Sequence, residues 1–440
     1  MNKLGMAIGV VVIAGLAAVP YVSGMMIEQS ISGTKALPGM GQSVIWSVDS
    51  FQRGYLSSTA TSHLTIVTPA ERVVLHFKQE ISQVPGLDGR YASIRSTWVP
   101  DAAMKPDIDK LFAGKQPLVL NTALTIFGGS HTQGVIAPVV AEGLNFSGGT
   151  VTIDTASSGH FAYGMAIDGL SAIDPEEAVQ SPVPVIFKGV NLAADGQMSA
   201  HDVVWDSQAV LKVASVSKGQ EGSLSGLGLT MKSQRTGDDY AVNMGFDVAH
   251  AEFPDAPEST RDIKDMKFNF SLSRLDAPAV EQIYQQAQQA QKQGMTDPDQ
   301  LTQAMTMTMM SQLPALLNRG PKFAINPISF NLPAGEVTLD FSAELPPGHG
   351  SEGMSNPMSL LTLLDMKGDF SVPEAALTIA LNQAGQAADE TQLNQMIQKG
   401  YVLRSNGMLK TKFAFNTGHL TINDKPADDL LGTLGALAPR

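Results

Sequence analysis

Leu118-Val119-Leu120-Asn121-Thr122-Ala123-Leu124-Thr125-Ile126-Phe127 is the stretch whose reading decides the fold class. Leu118, Leu120, Leu124 and Ile126 share one parity, the period-2 signature of a strand that buries one face. The same texture recurs on either side. Thr59–Val67 reads T-A-T-S-H-L-T-I-V, and strand-type tracts follow at Thr150–Thr155, Phe161–Ile167, Val203–Val216, Leu224–Met231, Tyr240–Ala249 and Met266–Leu275. Turn clusters separate them: Gly128-Gly129-Ser130, Ala194-Asp195-Gly196 and Thr236-Gly237-Asp238. No helical pattern of 10–15 residues alternates with these strands, which predicts an antiparallel meander and not a βαβ sheet.

Helices enter later. Val280, Ile283, Tyr284, Ala287 and Ala290 fall on one face of a 3.6-residue period, with Gly294 placed to cap. Asp297-Pro298-Asp299-Gln300 has the composition of a helix start, and the stripe Leu301, Ala304, Met305, Met309, Leu313, Leu316, Leu317 runs from it to Gly320-Pro321, with Pro314 placed to kink the last turn. Strands resume at Phe323–Leu332 and Glu336–Leu345. A short apolar helix over Met358–Leu364 and a capped helix over Asp389–Lys399, burying Leu393, Met396 and Ile397, come next. The chain closes with strands Tyr401–Arg404, Met408–Asn416 and His419–Asn423 and a Leu-rich helix near Asp428. The expected fold class is α+β and β-dominated: a long antiparallel meander with a few packed helices in the second half, preceded by one N-terminal transmembrane helix.

That span is expected because Leu4 to Ile27 carries no charge. Its apolar part, Leu4–Val22, is about 19 residues, close to the ~20 needed to cross a bilayer as a helix. Lys3 precedes the run and Glu28 follows it, so the positive-inside rule keeps the N-terminus in the cytoplasm and exports the rest. A cleaved signal peptide is the rival reading, with Gly15/Ala17 or Val22/Gly24 as weak cleavage sites. Both deliver the body to the periplasm. The expected organisation is an anchor over residues 1–28, a Gly/Pro/Ser-rich linker over 29–42, a β-rich lobe over 43–275, and an α+β lobe over 276–440 that continues the sheet.

Composition narrows the partners. A chain of 440 residues exceeds the usual single core, so one elongated domain or two lobes are expected. With 43% apolar and only 16% charged residues it can build a core. The net charge of −13 argues against nucleic acid and anionic headgroups as direct partners. No cysteine is present, which removes disulfides, thiolate zinc sites, iron–sulfur clusters and cysteine nucleophiles together. No cofactor or metal is implied.

The block Phe51-Gln52-Arg53-Gly54-Tyr55-Leu56-Ser57-Ser58-Thr59-Ala60-Thr61 resembles the F-x-R-G-x-x-S-S-x-A-x-T element of the YdgA/YihF-like family of Gram-negative bacteria. Pro321–Ile325 through Pro333-Ala334-Gly335-Glu336-Val337 resembles that family's strand, Pro-x-Gly, strand repeat. Gly418-His419-Leu420-Thr421-Ile422-Asn423-Asp424-Lys425-Pro426 resembles its terminal G-x-L-x-x-N-G-x-P, with Asp424 where Gly is usual. The resemblance covers essentially the whole chain. It implies an inner-membrane-anchored periplasmic protein of uncharacterised activity and supplies no catalytic residues. A looser likeness, in topology alone, is to AsmA-like envelope proteins, whose long curved sheets are associated with lipid handling.

Motifs that carry chemistry are scarce. Ser-x-x-K occurs at Ser32–Lys35 and Ser215–Lys218, but Ser405-Asn406-Gly407 and Lys410-Thr411-Lys412 are poor partners for it, and Ser215 lies in strand-type sequence where a helix start is required. The eight histidines (His63, His76, His131, His160, His201, His250, His349, His419) never pair at helical spacing. Acidic doublets at Glu176-Glu177, Asp238-Asp239 and Asp428-Asp429 sit beside turns or helix starts.

Two constellations stand out. Met305, Met307, Met309 and Met310, with Leu313, make either a helix buried on more than one side or an adaptable apolar surface for a flexible partner or acyl chain. In the block carrying Phe51, Arg53, Gly54, Ser57 and Ser58, Gly54 permits a tight bend, Arg53 is placed to pair with an acid across the sheet, and the small residues form a flat strand. Three functional classes follow. The leading one is a non-enzymatic envelope scaffold or modulator, with the inner membrane (through residues 4–22) and lipid or another envelope protein as partners. The second is a binding module that shelters a lipid or other hydrophobic ligand, and the third an enzyme whose site is assembled from distant residues.

Overall fold

Leu118, Leu120 and Leu124 are fully buried along one strand, Leu118–Thr125, whose other face is half-exposed or exposed. The alternation read from the sequence is thus the alternation of a sheet with a single dry side. The strand ends two residues before the end of the sequence tract. Phe127 is exposed, and the N–H of Gly128 donates to the Thr125 carbonyl at 3.0 Å to close the turn. A computed structural model describes residues 34–37, 41–53, 57–67, 72–82, 89–125, 127–173, 183–199, 203–292, 298–350, 360, 362–383 and 390–430. The span expected over residues 4–22 lies outside them, as do Gly54, Gly294 and Asp297. Among the described residues no helix is long and apolar enough to cross a membrane.

The chain divides into two compact units, one running to Gly219 with Tyr284–Thr306, the other taking Gln220–Ile283 with Met307 onward. In the first unit, β1 (Thr34–Leu37), β2 (Gly41–Gln52), β3 (Ser57–Val67), β4 (Arg72–Ser82), β5 (Arg90–Val99), β6 (Leu118–Thr125) and β7 (Ser130–Ile136) pair antiparallel in chain order. β7 then pairs with β10 (Gly149–Thr155), and β11 (His160–Ala172), β12 (Val185–Met198) and β13 (Val204–Lys218) continue the meander. A small hairpin, β8 (Val139–Ala141) and β9 (Leu144–Phe146), attaches to the far end of β11. β1 falls inside the stretch read as a linker.

Two readings of this unit are corrected. Ala194-Asp195-Gly196 is not a turn; it lies within β12, where the register shifts between Asp195 and Gln197. Gly196 is there because Phe161 faces it across the ladder, and a Cβ would stand 2.7 Å from the ring. The lobe also carries a helix, α1 (Lys105–Leu111), too short for a 10–15-residue pattern to reveal. It lays Ile108, Leu111 and the following Phe112 on the apolar face of the sheet.

That face holds two apolar clusters. The larger joins Trp46, Leu64, Phe77, Trp98, Leu118, Leu120, Val151 and Phe161 with α1, and the smaller joins Ala60, Ile81, Ala92, Ile94 and Leu124. Between them runs a buried polar seam, one residue per strand: Ser62, Gln79, Ser96, Thr122 and Thr132 on β3 to β7. Gln79 Nε2 donates to Ser96 Oγ at 3.3 Å, and the Thr122 and Thr132 hydroxyls bond at 2.8 Å.

The second unit repeats the plan. β14 (Gly222–Thr236), β15 (Asp239–Glu252), β16 (Asp262–Asp276), β17 (Lys322–Leu332), β18 (Gly335–Glu344), β19 (Asp365–Pro373), β21 (Met408–Asn416), β22 (His419–Ile422) and β23 (Lys425–Pro426) pair antiparallel in that order, and β20 (Leu403–Ser405) also pairs with β21. The helices α2 (Ala277–Lys292) and α3 (Pro298–Asn318), each divided between the two units, and α5 (Glu390–Lys399), in the second, lie where periodicity placed them. Strand β19 and helix α4 (Glu374–Gln383) are additions, and Pro314 sits inside α3. Of the short helix expected over 358–364, the described part is a hydrogen bond from Leu364 N–H to the Leu360 carbonyl.

Candidate functional site: an apolar face in the second unit

The register of β14 to β22 places apolar side chains opposite one another, strand after strand. One row runs Leu229, Phe246, Phe268, Ile328, Leu339, Phe370. The next runs Met231, Met244, Phe270, Ile325, Phe341, Gly368, Phe413, Ile422. A third runs Val242, Leu272, Phe323, Ala343, Met366, Phe415, Leu420. Because side chains alternate along each strand, all three rows occupy one side of the sheet. The opposite side carries Asn243, Ser271, Ala324, Ser342, Lys367 and Ala414 along a single row, each residue either small or polar.

The apolar side is covered at one end and open at the other. Toward β18–β22, α4 and α5 supply Ala376, Leu377, Leu393 and Met396, which pack with Val337, Val372, Leu409, Phe415 and Leu420. Toward β14–β17, Leu229, Met231, Met244, Leu272 and Phe323 remain 38–49% exposed. Tilted rings meet along a row at Phe246–Phe268, with centroids 5.9 Å apart, and between neighbouring rows at Phe323–Phe341, 6.2 Å apart. Contiguous exposed Leu, Met and Phe on a folded surface marks a binding face more often than chance scatter.

Helix α3 contributes differently from the packed reading of its methionines. Met307, Met309 and Met310 are all more than half exposed, whereas Thr308 is buried and Leu313 half-buried. The inward direction of α3 at this point is set by Thr308, whose carbonyl accepts a 2.7 Å bond from the Ser311 hydroxyl. A helix buried on its methionine side is therefore excluded for these three residues. Met305's side chain lies outside the described residues.

The other singled-out residues are scattered. Phe51 packs on the smaller cluster of the first unit, Arg53 and Ser57 are exposed, and Ser58 is buried. Ser215 and Lys218 lie three apart on β13, so their side chains leave opposite faces of the sheet and form no dyad. Five histidines each meet an aspartate: His63–Asp49 at 2.7 Å, His76–Asp101 at 3.8 Å, His131–Asp154 at 2.5 Å, His250–Asp262 at 2.6 Å and His419–Asp428 at 3.2 Å. These pairs could not be read from spacing, since each joins separate strands or a strand to a loop.

Two of these aspartates are electrostatically held. The Lys264 ammonium, then His250, keeps Asp262 below the usual carboxylate range. For Asp428 the Leu420 backbone N–H, at 2.7 Å, is the larger cause and His419 the second. Among the described residues no three His, Asp or Glu side chains gather as a metal site. A cleft of about 340 Å³ on the polar side, lined by Asp340, Lys367, Asp369, Lys412 and Asp424, holds surface ion pairs such as Lys412–Asp369 at 3.3 Å.

Comparison with known proteins agrees with the resemblance carried by the Phe51–Thr61 block. The chain is similar to Protein YdgA of Escherichia coli (strain K12), with 25% identity over 267 residues, 57% of this chain and 52% of that relative. The match thus spans about half the length of the relative. No solved structure matches the chain. Residues 1–428 match the family described as bacterial protein of unknown function (DUF945), and the chain belongs to that family.

Proposed function

We propose that this protein is a non-enzymatic component of the bacterial envelope, anchored through residues 4–22 with its body in the periplasm, whose second unit binds an acyl chain or similar apolar ligand. The observation that carries the reading is the open part of the apolar face, Leu229, Met231, Met244, Leu272 and Phe323. Its composition favours a lipid tail over a protein partner. Protein hot spots draw on Trp, Tyr and Arg, whereas these five are Leu, Met and Phe, which repack around a flexible chain and offer no hydrogen bonds. The ladder hydrogen bonds of β15–β17 are satisfied on both sides, so an added strand is not the mode of binding.

A scaffold that holds another envelope protein is the second reading, favoured by the exposed Met307, Met309 and Met310 of α3. The test uses the full chain in mild detergent with a fluorescent acyl probe. Met231→Gln with Met244→Gln is expected to abolish probe binding with little change in melting. Unchanged probe binding by the double variant, or no binding by the parent, rejects the acyl-chain reading.

A further inference from the structure

The buried seam of the first unit contains polar atoms that the protein itself leaves unpaired. Trp46 Nε1, Ser62 Oγ and Gln79 Oε1 have no hydrogen-bond partner, and their residues are 4%, 1% and 2% exposed. They lie on neighbouring strands of one face. Trp46 is opposite Leu64, two residues from Ser62; Ser62 is opposite Phe77, two residues from Gln79. Such diagonal neighbours are within reach of long side chains. The indole does lean that way: its ring centre is 5.2 Å from that of Phe77, two strands over, so it spans the β3 segment that carries Ser62. Gln79 commits its Nε2 to Ser96, which turns Oε1 away from β5 and leaves it unpaired.

We infer that Trp46, Ser62 and Gln79 form a binding site for one neutral hydroxyl group. The indole N–H only donates and the amide oxygen only accepts, so the group must accept from one and donate to the other. A carboxylate would leave Gln79 Oε1 unmet, an ammonium would leave the Trp46 N–H unmet, and either charge would be stranded between two apolar clusters. A hydroxyl meets both and can exchange a third bond with Ser62. Water supplies this chemistry, as does the alcohol end of an amphiphile lodged among the apolar side chains, and three bonds to otherwise unmet groups is the usual coordination of a buried water.

Ser62→Ala and Trp46→Phe in the full chain test the site, with density or water-to-amide NMR transfer at the seam and mass spectrometry of what denaturation releases. If the site is filled, Ser62→Ala removes a working bond and lowers the melting temperature by ~2–4 °C. If it is dry, the same change relieves an unmet polar group and raises it. A single-oxygen feature within hydrogen-bond distance of all three residues, with nothing organic released, makes the occupant water. A released alcohol-bearing molecule, lost from Trp46→Phe, makes it a ligand. A raised melting temperature for Ser62→Ala, or a seam empty of density and of water transfer, overturns the proposal.

Discussion

Gly368 stands directly between Phe341 and Phe413 across three strands, and the two rings close to 6.2 Å over the place where its side chain would be. A Cβ on Gly368 would collide with the Phe413 ring. Gly368→Ala must therefore push the ring out of its row, and overpacking of this kind costs about 1–3 kcal/mol. Urea unfolding should show the loss, with Phe413→Leu in the same background restoring part of it. An alanine variant as stable as the parent would mean the rings are not held as described.

Leu120→Ala and single alanine changes at Met307, Met309 and Met310 should behave as opposites. Leu120 is fully buried in the larger cluster, so its truncation is expected to cost about 2–5 kcal/mol. The three methionines are exposed, and each truncation should stay within about 0.5 kcal/mol. A large loss at any of the methionines would show that α3 buries that side.

Asp428 offers a pH signature. Its carboxylate is held below the usual range, first by the Leu420 N–H and then by His419, so folding favours the ionised form. The associated stability is complete above the unfolded carboxylate pKa of about 3.9 and fades as pH falls through the lower folded value. Asp428→Asn should therefore melt below the parent at pH 6, with the gap closing under acid conditions. A gap that widens as pH falls contradicts the sign.

Export is checked with reporters at the C-terminus. The proposed topology expects an alkaline-phosphatase fusion to be active and a cytoplasm-only reporter to be dark. The reverse pattern would place the body in the cytoplasm and remove the envelope from the proposed function.

Most strands were legible because one-sided burial writes itself as alternation, as in Leu118, Leu120 and Leu124. The seam was not. Ser62, Gln79, Ser96 and Thr122 occupy inward positions with polar residues, so the row they form across β3 to β6 does not show as part of an apolar alternation. Gly196 misled in the other direction, since a glycine beside Asp195 signals a turn unless the ring of Phe161 opposite is known. Helix α1 carries an inward set, Ile108, Leu111 and Phe112, but seven residues are too few for a period to separate from chance. The apolar face escaped for a different reason. Every strand's contribution but that of β19 was visible, yet which strands align their phenylalanines depends on register, including the irregular step between Ile325 and Ile328.

Within each unit nearly every described strand pairs with the next one along the chain, and this bears on how the molecule comes into being. Hairpin closure joins residues close in sequence, so little loop entropy is spent before each new ladder is rewarded. A chain synthesised from its N-terminus can add strands in order of emergence, without waiting for a distant partner. The same economy has a hazard. Arrest after any of β14, β15 or β16 leaves a strand of 14 or 15 residues as an open edge, with half its backbone groups free to recruit another chain. Truncations within β14–β17 should consequently aggregate more readily than truncations after β23, where the last described strand is only two residues long.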